Sequence, residues 1–427
     1  PNRPIDAQTS GLGKGFYGIF IGLIALSGLS VDWLNSLTLN ELVSPIRVCW
    51  VVVFLYIVAN LRWDYRALIS LPVALLAAWI VLHVLNLIFL NGAANAIMTR
   101  IFQASFITAL LIITLQRGFD LSNLCKAINP LIALFAGIAL IVFLVSSVQS
   151  ARLFFAIQGS IIGVSSNFSI FCSQLFALFL FKDLYSKPSK ERSLFKSIVL
   201  IVLITLPILG WQVLSSGRAG VIMTIIAACG YGFAKERLKG AFVAFLVLLA
   251  TIITLNEAFN YFPYLFELTR DLLTKGIGVA RQGDGIFRKL DLALSTFSSI
   301  QSAQTLENFD KLSSWRINGL LQTLDALESD KFWLGFGVNN FKVTTLTGEI
   351  YPHIELLRYF AELGVFGALL AATIYAYPFA KIAIHRNLLR NNVVVFSLIY
   401  MTGFLLTTLL QPSGPLTHLN NTWLFWI

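Results

Sequence analysis

Charged residues are scarce in this chain of 427 residues: Asp, Glu, Lys and Arg together make up 12% of it, against about 25% in an average soluble domain. Hydrophobic residues account for 57%, and the mean hydropathy is +0.78. These values exclude a soluble globular protein, and they also exclude a disordered chain, which needs low hydrophobicity. Because the apolar residues fall in long runs with short polar connections, the sequence predicts a polytopic membrane protein.

Cysteine is also rare, with 4 residues in the chain. These cysteines are far apart and show neither the pairing of a disulfide framework nor the C-x-x-C spacing of a zinc site. We interpret them as packing residues. They are Cys49, Cys125, Cys172 and Cys229.

Acidic residues are outnumbered by basic ones, 21 against 31, which gives a formal net charge of +10. In a membrane protein such an excess usually lies in cytoplasmic connections and not on a nucleic-acid surface. We therefore expect membrane lipids as partners and no nucleic acid.

The apolar runs long enough to cross a bilayer predict an all-α protein with about 12 transmembrane helices. The last run is short, and we expect the native protein to continue past Ile427. The predicted helices cover residues 16–32, 47–61, 68–91, 98–116, 128–148, 167–185, 194–214, 219–234, 240–257, 355–379 and 393–411, with a last one from 419.

Lys and Arg are concentrated in alternate connections, mainly those after the sixth, eighth and tenth predicted helices. Because positively charged connections stay in the cytoplasm, this pattern places both termini there and predicts an inner-membrane protein. The residues concerned are Lys182, Lys187, Lys190, Arg192, Lys196, Lys235, Arg237, Lys239, Lys381, Arg386 and Arg390.

One connection on the opposite face is far longer than the usual connection of about 4–6 residues. It predicts a division of the chain into residues 1–257 with nine helices, a periplasmic loop domain at 258–354, and residues 355–427 with the remaining helices. Within the loop, apolar residues from Ile317 to Leu327 recur at three- and four-residue spacing, which predicts an amphipathic helix.

Three segments on the predicted outer face carry polar residues whose positions at the membrane edge call for an explanation. Arg218, in LSSGRAG, lies where a helix is predicted to enter the membrane. An arginine there costs free energy unless it binds an anion, faces a polar cavity or extends its side chain to the lipid headgroups. Arg316 begins the amphipathic helix that leads to the turn-rich GFG at 335–337. Taken without its neighbours, an arginine at this position is more often a solvated surface residue. His353 lies at the outer end of the tenth helix, and a lone histidine is more often structural than catalytic.

Taken together, SSGRAG, SSWRINGLLQTLDALESDKFWLGFG and HIELLRYFAELGVFG resemble the motifs of the O-antigen ligase and O-antigen polymerase family of bacterial envelopes. Their order and their common side around one large external loop carry the resemblance, which is detailed over roughly residues 200 to 380. Ile354 departs from the family, whose members often have a small polar residue there. The resemblance implies a GT-C-like membrane fold.

The resemblance also implies an activity, the transfer of a glycan from undecaprenyl pyrophosphate to an acceptor sugar on the periplasmic face. Arginines suit a pyrophosphate leaving group because they are planar, always charged and able to form two hydrogen bonds at once. Histidine suits a general base because its imidazole titrates near neutral pH. We expect catalytic roles for His353, Arg218 and Arg316, and substrate-binding or supporting roles for Arg288, Arg281, Glu355 and Ser216.

No metal and no cofactor are expected for this reaction. The outer-face segments contain no D-x-D run of the kind that holds a metal ion in many glycosyltransferases. Positioning and charge stabilisation would then supply the catalysis. Direct displacement by the acceptor predicts inversion at the anomeric carbon.

The acceptor separates two alternatives within the family: lipid A core sugar for a ligase, and the end of another lipid-linked repeat for a polymerase. The well-formed motif that begins at His353 favours the ligase. A secondary transporter is the alternative from another class, since about twelve spans is a common transporter format. That alternative does not explain the large external loop or the outer-edge Arg and His.

Overall fold

A computed structural model gives the fold of this protein over most of the predicted helices. The predicted helix at 16–32 is described only as far as Phe20, and the predicted helices at 128–148 and from 419 lie almost entirely outside the described residues. The described residues are 15–20, 45–61, 69–90, 92–117, 123–124, 126–127, 129–130, 165–185, 193–214, 218–273, 316–327, 330–345, 348–350, 352, 354–408 and 416.

Within these residues the fold is dominated by α-helices, as the apolar runs predict. Short 3₁₀ turns lie at Asp330–Phe332 and Arg386–Arg390. The helices are α1 (Pro45–Ala59), α2 (Leu71–Phe89), α3 (Ala94–Arg117), α4 (Ser165–Tyr185), α5 (Leu194–Leu214), α6 (Arg218–Leu273), α7 (Arg316–Leu327), α8 (Glu355–Ile384) and α9 (Asn392–Thr408).

Four stretches among the described residues are long and apolar enough to cross a membrane. This part of the predicted membrane architecture is confirmed, and the total of about twelve spans stays a prediction. The stretches are Leu71–Phe89, Ala94–Gln116, Ala219–Leu255 and Glu355–Ile384.

A small hairpin departs from the expected all-α fold. β1 (Val343–Thr345) pairs antiparallel with β2 (Gly348–Ile350), with Val343 opposite Ile350. Strands of three residues are too short to show the alternation of apolar and polar residues that identifies a strand in a sequence.

Helix α6 contains a reversal of the chain. Glu236 (φ −133°, ψ 22°) and Arg237 (φ 59°, ψ −143°) are not helical, and a Cβ added to Gly232 would overlap the carbonyl oxygen of Gly240. In a straight helix two residues so spaced would lie about 12 Å apart. The chain therefore folds back here, between the predicted helices 219–234 and 240–257. The second half then continues to Leu273, beyond the predicted end.

The helices pack in two groups that meet where α8 contacts α9. In the first group α2 packs against α3 and α8, and α1 packs against α3; in the second, α4, α5, α6 and α9 pack together. Trp79 of α2 and Tyr359 of α8 form an edge-to-face contact with ring centroids 4.9 Å apart. Outward-facing apolar side chains such as Leu203, Phe242 and Leu369 are exposed, as expected for a surface that faces lipid.

Contacts at the two ends of the second group follow the predicted alternation of helix direction. At one end, Lys235 of α6 pairs with Asp183 of α4 at 2.5 Å and lies 3.5 Å from the Ser197 hydroxyl of α5. At the other end, the Gln212 amide of α5 donates to the Ser169 carbonyl of α4 at 3.0 Å. The end of α4, the start of α5 and the reversal within α6 thus share one end of the bundle.

Candidate active site at the outer helix ends

Arg218 is the first residue of α6, and its immediate surroundings explain the small residues of its motif. A Cβ on Gly220 would overlap the backbone of Ser169, so only glycine allows α6 to approach α4 this closely. The Thr224 hydroxyl also donates to the Gln212 Oε1 at 2.9 Å, which joins α6 to α5. The helix N-terminus at Arg218 is therefore fixed by two neighbouring helices.

Arg316 is the first residue of α7, which confirms the helix that the spacing from Ile317 to Leu327 predicts. This helix packs against β1 and α8. A Cβ built on Gly319 would lie 3.5 Å from the Val343 side chain of β1, an ordinary contact. Both arginines of the expected site thus begin helices, where exposed N–H groups and the helix dipole favour anions. The side chains of both lie outside the described part of the molecule.

The GFG turn confirms the tight reversal that its glycines predict. Gly335 and Gly337 have φ values of +75° and +96°, a left-handed conformation that favours glycine. The turn does not project into solvent but docks on α8. The Phe336 N–H donates to the Ala361 carbonyl at 2.8 Å, and the Gly337 N–H donates to the Glu362 carbonyl at 3.1 Å.

Gly364 makes this docking possible, because its φ of +67° interrupts α8 and leaves nearby carbonyls available to the turn. A Cβ on Gly364 would overlap the Trp333 carbonyl, and one on Gly335 would come within 2.6 Å of the backbone at Glu362, Leu363 and Gly364. The two glycines therefore allow two backbones to touch.

The Glu362 carboxylate forms the centre of a buried ion network beneath the turn. Arg100 of α3 contacts it at 2.5 Å, the Arg358 Nε donates to it at 3.0 Å, and the Asn339 backbone N–H donates to it at 3.2 Å. The Arg358 Nη2 also donates to the Asn339 side-chain oxygen at 2.9 Å. The Glu362 and Arg100 side chains are only 1% and 6% exposed, so this network is shielded from water.

Asn86, at the end of α2, ties the same turn to the first group of helices. Its amide donates to the Glu362 carbonyl at 3.2 Å, and its Oδ1 accepts from the Val338 N–H at 3.0 Å. The Val338 carbonyl accepts from the Ala93 N–H at 3.0 Å. We call the turn at 335–340, together with Asn86, Arg100, Arg358 and Glu362, the latch.

The start of α8 brings the predicted histidine region close to the latch. His353 itself lies outside the described residues, between Pro352, which is buried, and Ile354, which is partly buried. Glu355, the first residue of α8, is fully buried and accepts a hydrogen bond from the Tyr359 hydroxyl at 2.5 Å. Its supporting role at the site remains a prediction. Ser216, Arg281 and Arg288 also lie outside the described residues.

Sequence reasoning missed the latch residues contributed by α2 and α3. Arg100 lies within a run predicted to span the membrane, and an ionisable residue in such a run is itself a signal of function. Its partner, 262 positions along the chain, is visible only in the structure.

No group of three or more His, Cys, Asp or Glu residues in the described part of the chain is arranged to hold a metal ion. The absence of a metal from the reaction stays a prediction.

Comparison with known proteins identifies one segment of the chain. Residues 201–372 match the family model described as O-antigen ligase. No curated protein and no solved structure matches the chain. The matched segment contains all three motifs, from Arg218 to Gly367, but not Asn86 or Arg100. The match confirms the resemblance drawn from the motifs: over residues 201–372 this chain is similar to the O-antigen ligase family.

Proposed function

We propose that this protein is an inverting, metal-independent glycosyltransferase of the bacterial inner membrane that moves a glycan from undecaprenyl pyrophosphate to an acceptor sugar on the periplasmic face. The family match supports a glycosyltransferase of the O-antigen ligase or polymerase type. One observation carries the finer proposal: Arg218, Arg316 and His353 all lie in the matched segment, and the turn after the Arg316 helix docks on the helix that follows His353.

The arginines bind the donor pyrophosphate in this proposal. Arg218 and Arg316 each begin a helix, so their charges add to N–H groups and a helix dipole that attract phosphate oxygens. Arg281, Arg288 and Ser216 contribute further contacts. Neutralising the pyrophosphate stabilises the negative charge that develops as it leaves.

Glycosyl transfer then needs one proton to move. The acceptor hydroxyl oxygen forms a bond to the anomeric carbon, while the bond from that carbon to the pyrophosphate oxygen breaks and its electron pair leaves with the lipid. His353 takes the hydroxyl proton as general base. Attack opposite to the leaving group inverts the anomeric centre. Glu355, held by Tyr359, supports the start of α8.

We propose ligation to lipid A core sugar as the reaction, on the basis of the well-formed histidine motif. A repeat-unit polymerase of the same family has the same donor and the same chemistry but uses another lipid-linked glycan as acceptor. Offering both acceptors to the same purified protein separates the two activities.

The test uses the full chain in lipid nanodiscs, undecaprenyl-pyrophosphate-linked glycan as donor, and lipid A core oligosaccharide or a second donor molecule as acceptor. We expect core-linked glycan by mass spectrometry, with activity unchanged by EDTA. His353→Ala should lower the rate by roughly 10²–10⁴-fold, the usual contribution of a general base, and leave donor binding intact.

Three outcomes contradict parts of this proposal. Glycan joined only to the second donor identifies a polymerase. Activity lost to EDTA and restored by a divalent ion rules out the metal-independent mechanism. A His353→Ala variant that turns over normally shows that another group takes the proton.

A further inference from the structure

We propose that Arg100 and Glu362 are positioning residues for glycosyl transfer, acting through the latch. The inference rests on the proposed function, since it concerns how two parts of that site are held together. It also extends the site beyond the matched family segment, because Arg100 lies in α3 and the match begins at residue 201.

The ion network around Glu362 is costly to bury. Placing a carboxylate and two guanidinium groups where water is excluded removes their hydration, and well-packed apolar side chains would hold the helices together as well or better. A buried network of this kind instead fixes one geometry, because each hydrogen bond has a defined direction. Glu362 meets this description because it accepts hydrogen bonds from Arg358 and the Asn339 N–H, and it forms an ion pair with Arg100.

The network fixes the turn at 335–340 relative to α8. The turn at 335–340 follows α7, which begins at Arg316, and precedes β1, against which α7 packs. Glu362 lies in α8, which begins just after His353. Holding the turn on Glu362 therefore sets the position of the Arg316 helix relative to the helix beside His353. These are the segments proposed to bind the donor and to accept the proton.

The charges of the latch favour a positioning role over substrate binding. The guanidinium groups of Arg100 and Arg358 face Glu362, and Arg100 also interacts electrostatically with Glu355. Two positive and two negative groups thus balance one another. A balanced and buried set does not attract a pyrophosphate, so the latch acts on the reaction through geometry.

Kinetics of four variants test the proposal in the nanodisc assay. We expect Arg100→Met and Glu362→Gln each to lower kcat by about 100-fold, the effect of misplacing a reacting group by about 1 Å, with the donor KM changed less than about threefold. Arg100→Lys, which keeps the charge, should recover most of kcat. The double variant should be no slower than the slower single variant, because both substitutions break the same contact.

Asp183→Asn is the matched control, since it breaks a carboxylate pair of the same 2.5 Å length at the other end of the helices. It should leave kcat and KM unchanged. Hydrogen exchange gives a second readout that does not depend on activity. Amides at 336–339 should exchange at least about tenfold faster in Glu362→Gln than in the wild type, since their bonds open with the latch, and α9 should be unaffected.

The outcomes are distinguishable. A wild type that transfers no glycan contradicts the proposed function, whereas unchanged kcat in folded Arg100→Met and Glu362→Gln variants overturns the positioning role. A loss through a raised KM alone, or equal losses in Asp183→Asn, also overturns it. If Glu362→Gln does not fold, the kcat of Arg100→Lys against Arg100→Met decides, because both keep the neighbouring Glu362.

Discussion

The Arg100–Glu362 pair of the latch and the Asp183–Lys235 pair are two ion pairs of equal length in very different surroundings. Each joins a carboxylate and a cation at 2.5 Å, but the Asp183 and Lys235 side chains are 25% and 23% exposed, and those of Glu362 and Arg100 are 1% and 6% exposed. A pair that water reaches contributes about 0–1 kcal/mol, whereas breaking a buried pair costs about 3–5 kcal/mol. Burial, and not distance, decides which pair constrains the molecule.

The two regions also differ in how far their partners lie apart in the sequence. Asp183, Ser197 and Lys235 follow one another on successive helices, close to the basic connections. The latch joins α2, α3, the turn at 335–340 and α8, with up to 276 positions between bonded residues. A contact between distant segments can set a functional geometry that neighbouring helices do not determine.

An all-or-none test of the comparison is the side of the membrane on which each region lies. Asn340, the last residue of the latch turn, and Lys239, near the Asp183 pair, are both exposed. In a variant without the native cysteines, Asn340→Cys should react with a membrane-impermeant maleimide added to the periplasmic side, and Lys239→Cys should not. The reverse pattern would contradict both the topology and a periplasmic active site.

Loss of a donor-binding arginine should give the next largest effect. We expect Arg218→Ala or Arg316→Ala to lower transfer by roughly 10²–10³-fold, the usual effect of removing one group that stabilises developing charge. Lysine should rescue poorly because it cannot form two parallel bonds to phosphate. Glycan attachment in a deletion strain measures this, with membrane accumulation checked by immunoblot.

Arg390→Ala is the matched control, since Arg390 is exposed at the end of the short 3₁₀ turn after α8. It should transfer normally. If Arg218→Ala also attaches glycan at a near-normal level, that arginine only anchors the helix to the headgroups.

The helix break at Gly364 should matter for stability as well as for activity. In Gly364→Ala the backbone conformation (φ +67°, ψ −166°), which is essentially confined to glycine, alone costs about 1–3 kcal/mol, and the added Cβ overlaps the Trp333 carbonyl. We expect a lower melting temperature in detergent and a loss of transfer. Gly18→Ala serves as control because a Cβ there meets nothing within 4 Å. Equal melting temperatures for the two variants would show that the turn does not dock on α8.

The smallest effect should come from Lys235→Met, which breaks the partly exposed Asp183–Lys235 pair. Because water already solvates both charges, the free energy of unfolding should change by no more than about 1 kcal/mol. Transfer should stay at the wild-type rate. A loss of activity here would mean that the comparison between the two regions is wrong.

The helical part of the fold could largely be predicted from the sequence. Runs of apolar residues give α2, α3, α5 and α8 because a bilayer-spanning helix must be apolar over its whole length. The amphipathic spacing gives α7, and the glycines at 335 and 337 give the turn, since both features are local. The extension of α6 to Leu273 was missed because hydropathy identifies the membrane-spanning part of a helix and not its end.

The latch could not be predicted in the same way. Gly364 sits in an apolar helical run, where a single glycine is tolerated and gives no sign of a break. Asn86 and Arg100 acquire their role only by meeting Glu362 in space. His353 and Arg316 indicate a reaction when the motifs are read in the sequence. The glycines and Glu362 of the same motifs join the turn at 335–340 to α8, and this role is visible only in the structure.

The contact between Gly335 and Gly364 divides the attachment of the turn to α8 into a backbone part and a side-chain part. At the glycines the two segments meet through backbone atoms, whereas Phe332 meets Phe360 and Trp333 meets Phe366 through their rings. We expect a chimera that exchanges only residues before Phe332, and keeps both glycines and both ring contacts, to retain the same joint.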